Sequence, residues 1–366
     1  MNLKYLYVTL IILLVFTACK KDEPEEETSP ANTVVYDASP YIIQHPNHFP
    51  PPMLPADNPL TVQGVKLGKM LFHETLLSAD NSQACASCHL QANAFSDPLQ
   101  FSIGVQGLPG GRHSMSVFNM AWNNNGFFWD GRAPELRDQA ILPILDELEM
   151  DETLENVIEK LGAEENYRHQ FIRAFGNEEI TADKIALALE QFMFSIVSVD
   201  SKYDRFLQGT EELSESEERG RLLFFAEYNP FFPEDSGADC AHCHSGINFE
   251  NDQYMNNGLD SEAEITDEGR KNVTGLDEDR ARFKVTSLRN IAESAPYMHD
   301  GRFNTLEEVI SHYNEGIQAS NSVDPAILAT SETGLMLTDQ DIQDLIAFLQ
   351  TLSDETFLSN PSYQAD

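Results

Sequence analysis

Two short segments bring together residue types that can hold a metal-containing group. They are Cys85-Ala86-Ser87-Cys88-His89 and Cys240-Ala241-His242-Cys243-His244. In each, two thiols are followed directly by an imidazole. That spacing suits covalent attachment of a c-type haem, with the thiols forming thioethers to the two vinyl groups and the histidine reaching the iron as proximal ligand. The chain has five cysteines, and the two segments use all except Cys19. Other uses of these residues fit less well. A zinc ribbon sets its C-x-x-C pairs about 15–20 residues apart, whereas half the chain separates them here. Disulfides suit an exported protein but do not require a histidine after each pair. A redox C-x-x-C wants a βαβ setting that the pattern lacks. The expectation is two covalently bound haem c groups, on Cys85, Cys88, Cys240 and Cys243, with His89 and His244 on iron.

The elements that must position these groups read as helices. Residues 181–199 carry Ile185, Leu189, Phe192, Ile196 and Val197 at helical spacing. Ser214 and Glu217 form a capping box opening a helix through Leu222 and Phe225, and Thr305 and Glu308 form another. Thr338 caps a last amphipathic helix with Ile342, Leu345, Ile346, Phe348, Leu349 and Leu352. Strand alternation is scarce. Residues 228–239 and 251–279 read as long loops of the kind that surround a cofactor. A boundary near Gln208–Glu212 leaves one haem motif in each half.

The totals set outer limits. A length of 366 residues suits about two domains. Apolar residues make up 41%, enough for a buried core, and the formal charge is -37. That charge excludes nucleic acid and an anionic membrane surface as partners, and it suits a basic protein. At the amino terminus, Lys4 precedes an apolar run from Leu6 to Phe16, short for a bilayer span. Phe16-Thr17-Ala18-Cys19 resembles the lipobox of bacterial lipoproteins, with Phe16 where leucine is usual. Residues 1–18 then read as a signal peptide and Cys19 as the lipidated residue. Residues 19–40, with the acidic run at Asp22–Glu27, read as a disordered tether. This implies the bacterial periplasm or cell envelope, with membrane attachment by the lipid anchor alone.

Further segments stand around the haem motifs. They are Leu67-Gly68-Lys69-Met70-Leu71-Phe72, Phe128-Trp129-Asp130-Gly131-Arg132, Ser287-Leu288-Arg289-Asn290 and Pro296-Tyr297-Met298-His299-Asp300-Gly301-Arg302. In combination they resemble the bacterial di-haem cytochrome c peroxidases, including their MauG-like branch, over nearly the whole chain between Gly64 and Leu352. The resemblance implies an all-α fold with two cytochrome c-like haem domains packed across an interface, here residues 41–209 and 210–366. It implies that the N-terminal haem reacts with hydrogen peroxide. The C-terminal haem would relay electrons from a small donor protein, a cytochrome c or a cupredoxin. Trp129 matches the tryptophan lying between the haems, and Glu149 matches the distal-pocket glutamate. Gln139 and Pro143 match two further distal positions. Splitting the O–O bond needs a group that takes a proton from one oxygen and delivers it to the other, as a carboxylate in a partly apolar pocket does. Without the resemblance, Trp129 reads as a core aromatic and Glu149 as a solvated helix carboxylate beside Asp146 and Glu147.

Two departures from the family pattern bear on mechanism. Many members carry a histidine sixteen residues after the first motif's histidine, capping the peroxidatic iron. That place is Val105, which cannot ligate, so the site is expected open, with His113 as the rival cap. His113 also stands where the family has a calcium-binding asparagine, while Ser294 and Pro296 match its carbonyl ligands, so calcium is a further implied ligand. The second departure concerns the methionine fourteen residues after His299, which is replaced by Tyr313. Tyr313 is therefore the expected sixth ligand of the C-terminal haem, as in the MauG-like branch. Met298 and His312 are its rivals, and a place in the helical face Leu306, Val309, Ile310 is its structural alternative.

Overall fold

The computed structural model describes residues 34–232 and 236–365. The expected signal peptide, Cys19 and the acidic run lie outside them. Among the described residues, no helix is long and apolar enough to cross a membrane. Residues Val35–Asp366 cluster as one unit built around two apolar cores.

The first half contributes α1 (Val62–Phe72), α2 (Leu136–Leu145), α3 (Leu154–Ala163), α4 (Glu165–Phe175) and α5 (Ala182–Ser195). Thr61 accepts a bond from the Gly64 amide and starts α1, and Thr181 does the same for α5 through Lys184. Capping of this kind supplies partners that the first helical turn lacks. α1 and α5 cross closely because Gly68 has no side chain. A Cβ there would sit 1.9 Å from the Ala188 carbonyl oxygen. The helix expected over 181–199 stops at Ser195 because the next residues pair elsewhere. The Ile196 carbonyl accepts from the Asn119 amide, and the Ser198 amide donates to Asn119 Oδ1.

The second half contributes α6 (Lys202–Leu207), α7 (Glu215–Phe225), the strand pair β1 (Tyr254–Met255) and β2 (Phe283–Lys284), α8 (Leu306–Ser311) and α9 (Asp339–Gln350). The capping boxes expected at Ser214, Thr305 and Thr338 open α7, α8 and α9. α7 and α9 repeat the close crossing of the first half, since a Cβ on Gly220 would sit 1.8 Å from the Asp344 carbonyl oxygen. Tyr203, Phe224, Phe249 and Phe348 pack edge-on at 5.2–5.8 Å between ring centroids. Beside them Arg289 forms a buried bidentate pair with Asp204 at 2.7 and 2.8 Å. Burial alone would raise Asp204, but the guanidinium holds its carboxyl at about 2.

The chain end returns to the first half. Phe357 and Tyr363 join the first core against Phe95, and Gln91 donates to the carbonyls of Phe357 and Asn360. Residues 354–363 thus pack with the first core although they follow the second half in the chain. Their short sequence offers two aromatic anchors but no helical periodicity to signal where they dock.

Candidate active site

Both motif histidines are set for a metal. Cys85–Cys88 is one helical turn that points His89 into a cavity of about 600 Å³. His89 Nδ1 donates to the Phe95 carbonyl at 2.9 Å, which leaves Nε2 as the ligating nitrogen. His244 Nδ1 faces the carbonyls of Phe249 and Thr286 at 3.1 and 3.2 Å. Burial lowers both histidines and keeps them neutral. All four cysteines are free, and burial pushes the Cys85 and Cys240 thiols up to about 12. At both motifs, neutral free thiols beside a neutral, oriented imidazole fit a c-type haem, and at the first the large cavity adds room for it. In the first half, Cys85, Cys88 and His89 would hold it; in the second, Cys240, Cys243 and His244.

Gln139, Pro143 and Glu149 line the same cavity. Gln139 and Pro143 stand on α2. Beyond its end, the Met150 amide reaches back to the Pro143 carbonyl at 3.2 Å and Glu152 to Ile144 at 2.8 Å. This tight return sets Glu149 in a turn facing the cavity, rather than on a helix surface. Burial, helped by Asp146 and opposed by Arg132, pushes its carboxyl up to about 7. Val105 lies just behind, its amide donating to the Glu149 carbonyl at 2.8 Å, and it is not among the lining residues. His113 lines the cavity, but its ring is engaged: Nε2 meets Ser96 Oγ at 3.1 Å and Nδ1 meets the Leu99 and Gln100 carbonyls at 3.2 Å. Ser294 and Pro296 line it too. Among the described residues no group of three acidic, histidine or cysteine side chains could hold a metal ion.

Trp129 stands where the halves meet. Its Nε1 donates to the His113 carbonyl at 2.8 Å, and its carbonyl accepts from Lys284 at 2.7 Å. The second half grips its neighbours as well. Arg270 donates to the Asp130 carbonyl at 3.0 Å. Arg112 joins Asp130 at 2.7 Å to Asp267 at 2.7 and 2.9 Å. Gly131 has φ +71°, and a Cβ there would fall 1.9 Å from the Tyr254 hydroxyl, so the Asp-Gly-Arg run needs its glycine.

At the second motif, α8 runs into a π-helical turn, His312–Gly316, a distortion frequent at functional sites. Tyr313 sits in this turn, near the thiols of Cys240 and Cys243. Burial drives its hydroxyl up, against the pull of the Asn257 amide. Asn257 Nδ2 lies 3.3 Å from the Tyr313 hydroxyl and 3.3 Å from Met298 Sδ, so the first two rival ligands converge on one amide. The third is engaged elsewhere, with His312 Nε2 at 3.0 Å from the Asn257 carbonyl.

Comparison with known proteins identifies the ensemble. Residues 62–212 match the di-haem cytochrome c peroxidase family model and residues 218–353 the cytochrome c model. The chain is 34% identical to a methylamine utilization protein MauG of Methylophilus methylotrophus, covering 84% of this chain and 87% of that one. The chain belongs to the di-haem cytochrome c peroxidase family. It is also 32% identical to the cytochrome c551 peroxidase of Pseudomonas aeruginosa, over 81% of this chain and 82% of that one. Among solved structures it is similar to a MauG-like protein associated with microbial copper homeostasis, with a TM-score of 0.78 and 32% identity, covering 88% and 99% of the two chains.

This member of the family is thus an oxidoreductase acting on peroxide, and its family implies two haem c groups and redox proteins as partners in general. Its all-α fold of two cytochrome c-like domains agrees with the sequence expectation; β1 and β2 form a minor addition. Sequence reasoning missed the Arg112–Asp267 clamp, Asn257 and the Arg289–Asp204 pair. Each joins residues more than forty positions apart, and no local pattern announces such partners.

Proposed function

We propose that this protein reduces hydrogen peroxide to water at the site built on His89, with electrons relayed from the site built on His244. One observation carries the reading. Glu149 faces the cavity beside His89 with a carboxyl near neutrality, where one group can both accept and return a proton. Gln139 and Pro143 wall the same pocket. When bound, the haems supply the electron-transfer chemistry of O–O cleavage. Glu149 takes a proton from one peroxide oxygen and gives it to the other. Trp129, bonded to both halves, supplies an aromatic stepping point between them. With Val105 behind the wall and His113 engaged, neither of the two expected cap positions is placed to bind, which supports peroxide entry without prior reduction.

The electron donor is a small cytochrome c or cupredoxin, with a basic docking face suited to a chain of charge -37. The setting is the periplasm or cell envelope, with the chain lipid-anchored at Cys19. Calcium at the Ser294 and Pro296 carbonyls remains part of the family-derived expectation. A second reading, MauG-like withdrawal of electrons from a protein or organic substrate, is favoured by Tyr313. A phenolate ligand would favour ferric and higher states over ferrous iron. Steady-state peroxide consumption with a reduced donor protein tests the choice. Sustained turnover supports the peroxidase role. Peroxide-driven oxidation of a substrate without donor turnover would support the MauG-like role instead.

A further inference from the structure

The cavity is lined by a buried carboxylate that peroxide cleavage does not use. Glu250 and Lys284, both from the second half, line the cavity that holds His89 and Glu149. Their backbones also flank the clamp on His244. Phe249, whose carbonyl faces His244 Nδ1 at 3.1 Å, directly precedes Glu250. Thr286, with the other carbonyl at 3.2 Å, lies two residues beyond Lys284. Glu250 therefore touches the surroundings of both haem sites.

Its partners leave the charge poorly compensated. Glu250 Oε1 accepts from Asn248 Nδ2 at 2.8 Å, and Asn248 Oδ1 in turn accepts from Asn119 of the first half at 2.9 Å. No cation forms an ion pair with Glu250 among the described residues. Lys284 Nζ is committed to the Asn125 and Gly126 carbonyls at 2.9 and 3.2 Å. The charged groups acting on Glu250 are Asp252, which disfavours ionisation, and Lys284, which favours it. Arg270 acts on Lys284 in turn. Arg112, Asp130, Arg132, Asp146, Glu149 and Asp267 are the other charged side chains that line the cavity. Burial is the largest influence and pushes the Glu250 carboxyl up to about 7. A group so balanced changes protonation in response to one unit of nearby charge.

We propose that Glu250 is a proton-loading site, whose carboxylate binds a proton when an electron enters an adjoining haem and releases it when the electron leaves. The balance is simple. One electron from a reduced redox protein converts one ferric haem to ferrous, and one proton from solvent converts the carboxylate to the acid. No bond between heavy atoms forms or breaks. Reducing peroxide to two waters consumes two protons with the two electrons. Glu149 only moves a proton within the peroxide, so these two must be brought in. Glu250 belongs to the half that carries the proposed relay site at His244. The inference rests on the proposed haem sites, and its test separates the two.

The experiment is an optical redox titration of the holoprotein, and of its Glu250→Gln and Glu149→Gln variants, between about pH 5.5 and 8.5. Glutamine keeps the oxygen that accepts from Asn248. In the wild type, one haem's midpoint potential should fall as pH rises around neutrality, approaching about 59 mV per tenfold drop in proton concentration. Glu250→Gln should remove the larger part of that slope with both haems retained, and Glu149→Gln, whose carboxyl also sits near neutrality, should keep the larger part. A reduced-minus-oxidised infrared spectrum should show a protonated-carboxyl band in the wild type that Glu250→Gln removes. A flat wild-type slope, or one that survives in Glu250→Gln, would overturn the proposal. So would loss of the slope in Glu149→Gln alone. Absence of covalent haem on a denaturing gel would overturn the haem sites themselves, before any titration begins.

Discussion

Replacing Glu149 by glutamine tests the proposed acid–base step with little change of shape. Burial moves this carboxyl from 4.5 to about 7, equivalent to roughly 3 kcal/mol of lost stabilisation of the charged form. Two consequences follow. First, the rate of the peroxide reaction should rise with pH through about 7 as the carboxylate, the form able to accept a proton, becomes populated. Glutamine cannot accept it, so the rate should fall by about 10²–10⁴-fold and the inflection should vanish. Stopped-flow mixing of the diferric protein with peroxide across pH measures both. Second, a carboxyl raised in the folded state costs stability above its unfolded value. That cost grows as pH rises from 4.5 and is complete above about 7. Glu149→Gln should therefore raise the melting temperature at alkaline pH and leave it nearly unchanged in acid. An unaltered rate with the same inflection would remove Glu149 from the mechanism. Equal melting shifts at both ends would show that the carboxyl is not held near neutrality.

Tyr313→Phe should change the spectrum of the low-spin haem and raise its potential, because an anionic oxygen ligand is lost, whereas Met298→Leu should change neither. A thioether-to-iron charge-transfer band removed by Met298→Leu would reverse that assignment. Trp129→Phe should keep both haems and slow electron exchange between them in flash or stopped-flow traces; unchanged exchange would make Trp129 a packing residue. Arg289→Leu strands the buried Asp204 carboxylate and should cost about 3–5 kcal/mol in denaturant unfolding at neutral pH. Because Asp204 is depressed from 3.8 to about 2, the wild-type contribution is present above about pH 4 and is lost as pH falls through 2.

Much of this was legible in the residues because the chemistry is local. A C-x-x-C-H run declares its ligand set within five positions, and the boxes at Ser214, Thr305 and Thr338 mark helix starts within four. Glu149 was legible only by resemblance. Its sequence neighbours Asp146 and Glu147 suggest a solvated surface, and the turn stitched by Pro143 and Met150 buries it instead. The convergence of Tyr313 and Met298 on Asn257, and the placing of Glu250, were not legible. They depend on β1, β2 and the long loops, whose paths are set by contacts far apart in sequence. The return of Phe357 and Tyr363 to the first core escaped for the same reason.

In the proposed mechanism peroxide meets an open iron site beside Glu149. Low-temperature electron spin resonance of the diferric protein, before and after one equivalent of peroxide, tests it most directly. One high-spin and one low-spin ferric signal are expected at rest, both changing on peroxide addition without prior reduction. Two low-spin signals that peroxide leaves untouched until an electron is supplied would contradict it and would make His113 the cap.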